Sequence, residues 1–247
     1  MSRSTAIISG FFGAFALSCA ALVLAPQAQL GSLQPVFAEE EGKITGDIYP
    51  IENPAVEQGR AIYVREGCYT CHTQQVRDLQ NGTDIDRGWG PRRTVARDYI
   101  YERPPFLGNS RLGPDLANVG SGKWRDEPET DTRKPKVRDA AWHYAHLFAP
   151  RALITESNHP PYRYLFKEVE VAGQRSQDAL DVEDPHMPGP GRQVIPTEDA
   201  KKLVKYLLSL DRTHDLKEAG APAAAAPAAA APAAAAPAAA APSTPAK

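Results

Sequence analysis

The sequence has few cysteines, few methionines and no strong excess of charge of either sign. Its 247 residues include three cysteines and two methionines, and the formal net charge is −2. A nearly neutral chain gives no argument for binding nucleic acid, so we expect no nucleic-acid partner. Two of the cysteines share one short motif and the third lies in an apolar run, which does not indicate a disulfide framework.

Charged residues are also absent from position 5 to position 38, and the run from Ala6 to Ala25 is almost wholly apolar. A helix of about 20 residues spans roughly 30 Å, the thickness of the hydrocarbon core of a bilayer. We therefore predict a transmembrane anchor over residues 5–26, ended by Pro26. Arg3 precedes this run, which favours a cytoplasmic N-terminus and places the rest of the chain on the periplasmic side of the inner (cytoplasmic) membrane.

Two alternatives to a retained anchor exist. A cleaved signal peptide also has a basic start, but its apolar region is usually shorter, roughly 7–15 residues. Pro26 makes the stretch Ala25 to Ala28 a poor cleavage site. Lipidation at Cys19 is the second alternative, although Ala16 is a weak residue for that signal. We interpret Cys19 as a small apolar residue of the helix.

The C-terminal segment, residues 219–247, consists largely of alanine with a proline at every fifth position. This proline spacing blocks a continuous helix, and alanine and proline bury too little surface to form a core. We predict a disordered, semi-extended tail that acts as a spacer, with docking to a partner as the alternative. The folded domain is then expected over residues 40–216.

The chemistry of this domain is indicated by Cys68-Tyr-Thr-Cys71-His72. Two thiols three positions apart can each add to a vinyl group of one porphyrin, and the adjacent histidine then lies under the iron as the proximal ligand. Cys-x-x-Cys-His is the attachment motif of c-type haem. We therefore predict one covalent haem c, bound through Cys68, Cys71 and His72.

A redox-active dithiol or half of a zinc site is the alternative interpretation of Cys-x-x-Cys. A zinc site would need two more ligands, and the sequence has no second cysteine pair. A thioredoxin-like site would follow a strand, whereas the residues before this motif have helical periodicity.

The segments around the motif predict helices and turns. Residues 55–67 have apolar positions at helical spacing, and Gly67 allows the chain to turn into the motif. Residues 112–116, Leu-Gly-Pro-Asp-Leu, predict a rigid turn. Thr197 is expected to cap a helix that runs to about Leu210. The apolar face of this helix comprises Leu203, Val204, Tyr206, Leu207 and Leu210.

This order of elements resembles the class I cytochrome c fold. The resemblance implies that Gly59 allows close approach of the C-terminal helix, with Tyr206 at the crossing. It also implies that the Pro114 carbonyl accepts a hydrogen bond from His72 and fixes its tautomer. An ordinary turn is the alternative for Gly113-Pro114. The fold class is therefore expected to be mainly α: one transmembrane helix, a class I-like domain with long loop insertions, and the tail.

Four stretches narrow the resemblance further, and together they resemble the mono-haem cytochrome c subunit, subunit II, of cbb(3)-type, C-family haem–copper oxidases. The most specific are His-Thr-Gln-Gln-Val-Arg in the first stretch and Trp-His-x-x-His-Leu in the fourth. The four stretches are residues 63–77, 87–93, 113–120 and 142–151. The resemblance covers most of residues 5–211, and this subunit also has a single N-terminal anchor.

The sequence departs from this family at the distal iron ligand. The family has a methionine in the segment that resembles residues 156–166, and His159 stands in its place here. The only methionine besides Met1 is Met187, at the spacing from the C-terminal helix that ordinary class I cytochromes use. His159 and Met187 are therefore both candidates, and His186 or an open position are lesser alternatives.

Other polar residues near the motif have less specific interpretations. His143 and His146 share a helical face, where a structural or partner-contact role is favoured over a metal pair. His214 is expected to be solvated. One or two arginines are expected to pair with the haem propionates, which carry negative charge. The candidates are Arg65, Arg77, Arg87, Arg92, Arg93 and Arg97.

The resemblance implies a non-catalytic electron-transfer subunit of a respiratory oxidase. Such a subunit accepts electrons from a periplasmic c-type cytochrome and passes them to a multi-span catalytic subunit with haems and copper. The protein itself contributes binding, orientation and tuning of the haem. A free-standing, membrane-tethered cytochrome c is the alternative function, and a peroxidase with an open haem position is the third.

Overall fold

The computed structural model describes residues 2–33, 37–40, 43–47, 54–108, 110–121 and 138–214, and for 37–40 and 43–47 it describes the backbone alone. The tail predicted over residues 219–247 lies outside the described residues. The described part is mainly helical, as expected, with two short antiparallel hairpins that sequence reasoning did not predict.

The two hairpins divide the helices of the described residues into three groups along the chain. The helices are α1 Arg3–Cys19, α2 Ala25–Leu30, α3 Pro54–Arg65, α4 Ala140–Phe148, α5 Pro150–Leu153 and α6 Glu198–Ser209. The strands are β1 Phe37–Glu40, β2 Lys43–Asp47, β3 Phe166–Glu170 and β4 Arg192–Pro196. β1 pairs with β2 and β3 with β4, both antiparallel.

The N-terminal apolar helix is longer than predicted. It begins at Arg3 and continues to Leu30, and by length and composition it is able to cross a membrane. Pro26 does not end it, which corrects the predicted boundary. A π-helical turn over Ala20–Leu24 joins α1 to α2, and Ala25 N–H bonds to Ala20 O. Because this turn already departs from α-helical bonding, the missing N–H of proline is tolerated just beyond it.

α3 and α6 cross at a glycine. A Cβ placed on Gly59 would lie 2.1 Å from Lys202 O and 2.7 Å from Tyr206 Cβ. Tyr63 packs against Tyr206 at the same crossing, with ring centres 5.4 Å apart. The predicted close approach is therefore present, and any larger residue at position 59 would collide with backbone.

α6 has the cap and the apolar face that its sequence predicts. Thr197 accepts a hydrogen bond from Ala200 N, which satisfies one of the free N–H groups at the helix start. The buried side chains are Leu203, Val204, Tyr206, Leu207 and, just after the helix, Leu210. They form the centre of the core, to which α3 and α4 also contribute.

The β3–β4 hairpin and α4 close the core on the other side. Thr197 N–H and Oγ1 both donate to Leu165 O, which ties the end of β4 to the start of β3. Phe166, the first residue of β3, is buried and packs edge-to-face against Phe148 of α4, with ring centres 5.3 Å apart. This packing holds the segment between α5 and β3, which contains His159, against the body of the domain.

The long connection from residue 72 to residue 121 has little regular structure, and buried ion pairs hold it in place. Arg92 forms two hydrogen bonds to Asp98, of 2.8 and 2.9 Å. Arg212, which follows α6, pairs with Glu102, and both side chains are almost fully buried. The Arg92–Asp98 pair lies within this segment, and the Arg212–Glu102 pair joins the segment to the chain just after α6.

Candidate haem centre

The Cys-x-x-Cys-His motif lies on a single turn after α3. Gly67 has φ 73°, a left-handed conformation that ends the helix and suits glycine. Cys68 to Thr70 then form a 3₁₀ turn, and His72 N–H donates to Cys68 O over 3.0 Å. Cys68 and Cys71 are half-buried free thiols. The turn therefore presents both thiols and the imidazole of His72 from one short segment.

His72 makes the hydrogen bond that the resemblance implied. Its Nδ1 lies 2.7 Å from the carbonyl oxygen of Pro114. A carbonyl only accepts, so Nδ1 carries the hydrogen and Nε2 keeps a lone pair. The ring also lies against Gly113, where a Cβ would be 2.2 Å from His72 Cε1. Gly113-Pro114 thus orients the imidazole and leaves Nε2 able to bind a metal.

A buried carboxylate holds this turn against the motif. Asp115 is fully buried and accepts hydrogen bonds from Thr73 Oγ1, from Gln75 N (2.7 Å) and from Ala117 N (2.8 Å). Burial raises the pKa of Asp115, and these hydrogen bonds act in the opposite direction. Because Thr73 follows His72 and Asp115 follows Pro114, the network fixes the two partners relative to each other. Sequence analysis did not identify this hydrogen-bond network, and the aspartate directly after Pro114 was the available signal.

His159 lies across the site from His72. The two imidazole ring centres are 6.2 Å apart, with an angle of 49° between the planes. With a metal–nitrogen bond of about 2 Å for each ring and the ring centre about 1.2 Å beyond the nitrogen, two imidazoles that held one metal would have their centres roughly 6.4 Å apart. The interplanar angle is not restrictive, since each ring can turn about its own metal bond. The spacing fits a haem iron between His72 and His159.

Burial keeps the His159 imidazole neutral. It lowers the pKa to about 4, the charge of His72 acts in the same direction, and a backbone contact with Pro160 opposes both. A neutral imidazole is the form that binds metal ions. Its Nδ1 is buried and has no hydrogen-bond partner among the described residues. Tyr162 lies beside it, with ring centres 5.5 Å apart.

α4 brings two more histidines to this side. Asp139 caps the helix by accepting from Trp142 N. The His146 ring lies 4.6 Å from that of His159 and stacks on Trp142 at 4.8 Å and 10°. Burial lowers the pKa of His146 to about 2 and that of His143 to about 4. No group of three or more metal-ligating residues occurs in the described ranges.

Met187 and His186, the other distal candidates, lie in a turn in which Met187 N–H donates to Asp184 O. The Met187 side chain is partly buried and packs against the hydrophobic core. His186 is exposed, and its Nδ1 lies 3.0 Å from Asp184 Oδ1. The described contacts therefore bring His159 to the His72 ring and involve Met187 in core packing.

The interpretation of the cysteine pair as a redox-active dithiol has little support. Burial, together with the charge of Glu66, raises the pKa of Cys68 to about 12. A reactive dithiol needs a low pKa and an accessible thiolate. A half-buried thiol that stays protonated does not suit that chemistry, whereas it suits a position against an apolar porphyrin.

Several of the arginines suggested for the propionates have other partners. Arg65 pairs with Asp199 at 2.9 Å, and Arg92 is held by Asp98. The guanidinium of Arg87 lies 5.1 Å from the centre of the Trp89 ring. The assignment of arginines to propionates stays a prediction. His214, expected to be solvated, is instead partly buried next to Arg92 and Asp98.

One comparison with known proteins identifies a family. The family model described as cytochrome c oxidase, mono-heme subunit/FixO, matches residues 14–186, well over half of the chain. A comparison with curated proteins gives no match. The matched range includes the turn with the two thiols, the Gly113-Pro114 turn, α4 and His159.

Proposed function

The chain belongs to the FixO family, the mono-haem subunits of cytochrome c oxidase, and from this premise we propose that it relays electrons from a periplasmic c-type cytochrome to the catalytic haem–copper subunit. Membership itself establishes a mono-haem electron-transfer subunit within an oxidase complex. The N-terminal helix Arg3–Leu30 is consistent with a membrane anchor. The donor, the direction of transfer and the placement of the domain in the periplasm belong to the proposal.

The observation that carries the proposal is the placement of His72 and His159. Their ring centres are separated by 6.2 Å, the spacing of two axial imidazoles on one iron. We assign the haem to thioether bonds from Cys68 and Cys71, with His72 as proximal and His159 as distal ligand. Met187, whose side chain is partly buried against the core, is the alternative distal ligand.

Bound haem supplies one-electron chemistry at the iron, and the chain provides the environment. The Pro114 carbonyl holds the His72 tautomer. Aromatic side chains pack beside the motif: Tyr69 stacks on Phe106 at 5.7 Å, and Phe106 packs against Tyr63 at 5.4 Å. Two protein ligands would leave no open position on the iron, which favours electron transfer over peroxidase chemistry.

We also propose that the domain has the class I cytochrome c arrangement. The crossing of α3 and α6 at Gly59 supports it, as does the hydrogen bond from His72 to Pro114. The proposed division is an anchor, a haem domain over residues 40–216 and a tail over residues 219–247. The proposed anchor lies within the N-terminal helix, which continues to Leu30.

Covalent attachment is tested with cysteine variants of the full-length chain. Cys68→Ala and Cys71→Ala each remove one thioether bond, and Cys19→Ala, in the apolar helix, is the matched control. We expect the wild type and the Cys19 variant to keep their haem in acidified organic solvent after denaturation. The double variant Cys68→Ala/Cys71→Ala should release any haem that it binds. Extraction of haem from the wild type would contradict the assignment.

The relay is tested in the membrane. We expect the chain to purify in mild detergent with a multi-span haem–copper subunit, and its haem to be oxidised by oxygen only in that complex. A chain that always purifies alone, and still shuttles electrons between complexes, would instead be a tethered cytochrome c. Intact mass tests the anchor, because loss of the first 25 to 40 residues without an added lipid would contradict it.

A further inference from the structure

The least explained feature near the site is His146. Its imidazole lies between Trp142, on which it stacks, and His159, whose ring centre is 4.6 Å away. Trp142 is covered by the guanidinium of Arg138, 4.6 Å from the ring centre. Arg138, Trp142, His146 and His159 thus form a column in which each group contacts the next.

Two nitrogen atoms in this column have no hydrogen-bond partner among the described residues. They are Nδ1 of His146 and Nδ1 of His159, and both are buried. An unpaired polar atom away from water is costly, and such atoms in native proteins usually have a specific use. The two rings are adjacent, with centres 4.6 Å apart and an angle of 47° between their planes.

The proximal side shows what such a nitrogen does. There the Nδ1–H of His72 donates to Pro114 O, which fixes the tautomer and the orientation of the ring. A metal-bound histidine almost always donates its other N–H to an acceptor in this way. The Nδ1 of His159 makes no hydrogen bond of this kind among the described residues, although the Pro160 backbone interacts with the ring. The Nδ1 of the adjacent His146 can act as an acceptor.

We propose that His146 is the positioning residue of the distal side, with its Nδ1 accepting a hydrogen bond from the Nδ1–H of His159 in the haem-bound protein. This inference rests on the proposed assignment of His159 to the iron. In this role His146 acts through His159 and is not itself a ligand of the iron. Trp142 fixes the orientation of the His146 ring by stacking.

The expected consequence is electronic as well as geometric. An axial imidazole that donates its N–H to a good acceptor becomes more basic and stabilises ferric over ferrous iron. Loss of the acceptor should therefore raise the reduction potential of the haem. If His146 acted by packing alone, its effect on the potential would depend on the volume of the ring and not on the lone pair of Nδ1.

Two substitutions in the full-length chain separate these roles. His146→Phe keeps a ring that can stack on Trp142 but removes the acceptor. His146→Asn removes the ring but keeps an acceptor oxygen near the position of Nδ1. Redox titration and low-temperature EPR of the ferric haem are the two readouts, and neither requires oxidase activity.

We expect His146→Phe to raise the potential by a shift equivalent to a threefold to tenfold change in the ferric–ferrous equilibrium, at most about 59 mV for one electron. The g values of the low-spin signal should shift in the same variant. His146→Asn should stay close to the wild type in both readouts. A shift in His146→Asn with none in His146→Phe, or equal shifts in both, would overturn the proposal in favour of a packing role. No shift in either variant would overturn it by showing that His146 does not influence the haem.

A second variant covers the case in which His146→Phe fails to incorporate haem. Trp142→Leu leaves His146 in place but removes the ring on which it stacks, and we expect a smaller upward shift in potential. An unchanged potential in Trp142→Leu would overturn the role of the column.

Failure of the underlying assignment has a different signature. If His159→Ala keeps the wild-type low-spin spectrum, His159 is not a ligand and both proposals fall. If His159→Ala loses that spectrum while the His146 variants match the wild type, only the role of His146 is wrong.

Discussion

The imidazole of His72 and that of His159 lie with their ring centres 6.2 Å apart, although one follows α3 and the other follows α5. The first ring is held by the Pro114 carbonyl, and the second is buried beside Tyr162 and His146. This relationship supports the proposed assignment of both imidazoles to one iron. Four predictions test that assignment and the packing around it.

His159→Ala should convert the ferric haem of the purified chain from low-spin to largely high-spin, because the substitution removes one of two axial nitrogens. Met187→Leu, which preserves the packing against the core, should keep the low-spin spectrum. Absorption and EPR spectra check both variants. A near-infrared charge-transfer band typical of sulfur ligation in the wild type, lost in Met187→Leu, would contradict the assignment of His159.

Gly113→Ala should disturb the proximal side. The new Cβ would lie 2.2 Å from His72 Cε1 and 2.7 Å from Nδ1, so the ring must move and its bond to Pro114 weakens. We expect less haem per polypeptide and a loss of stability of about 1–3 kcal/mol, the usual cost of overpacking. Gly189→Ala is the control, since nothing lies within 4 Å of its Cβ position. Equal haem content in the two variants would contradict this prediction.

Arg212→Met should destabilise the domain strongly. The side chains of Arg212 and Glu102 are 1% and 2% exposed, so the variant leaves a buried carboxylate without its partner. Breaking a buried pair in this way typically costs about 3–5 kcal/mol of unfolding free energy. Chemical denaturation of the full-length protein measures the loss.

Arg192→Met is the matched control for this experiment. Arg192 pairs with Glu168 at the surface, where the side chains are 44% and 49% exposed. An exposed pair contributes about 0–1 kcal/mol. The double variant Arg212→Met/Glu102→Leu should recover most of the stability, because it removes both charges. If Arg212→Met unfolds at the same denaturant concentration as Arg192→Met, the buried pair is not important for stability.

Acid sensitivity should depend partly on His143. Burial lowers its pKa to about 4 in the folded domain, against about 6.5 in the unfolded chain. The contribution of neutral His143 to the free energy of unfolding is therefore fully present above pH 6.5. It is lost as the pH falls towards 4, because only the unfolded chain takes up the proton in that range. One such group changes the unfolding free energy by about 1.4 kcal/mol per pH unit.

The variant His143→Leu should accordingly lose less stability than the wild type between pH 6.5 and 4. Unfolding curves at half-unit pH intervals measure this slope. A His143→Leu slope equal to that of the wild type would contradict the prediction.

Local patterns in the sequence determined much of this protein. The spacing of Cys68, Cys71 and His72 predicts covalent haem attachment. Gly67 and Thr197 mark the end of α3 and the start of α6 as predicted. The apolar face of α6 follows from residues a few positions apart. Such features depend on neighbours in the chain, so composition and periodicity reveal them. Pro26 was misjudged because a π-helical turn before it accommodates the missing N–H.

Only the tertiary structure decided which distant groups meet. By sequence alone His159 and Met187 were nearly equal candidates, and the folded chain brings His159 to the His72 ring. The short β3–β4 hairpin, the burial of Arg212 with Glu102 and the contact of His146 with His159 were likewise not predictable. Each depends on how α3, α4 and α6 pack together across long separations in the chain, and on polar groups that burial obliges to find partners.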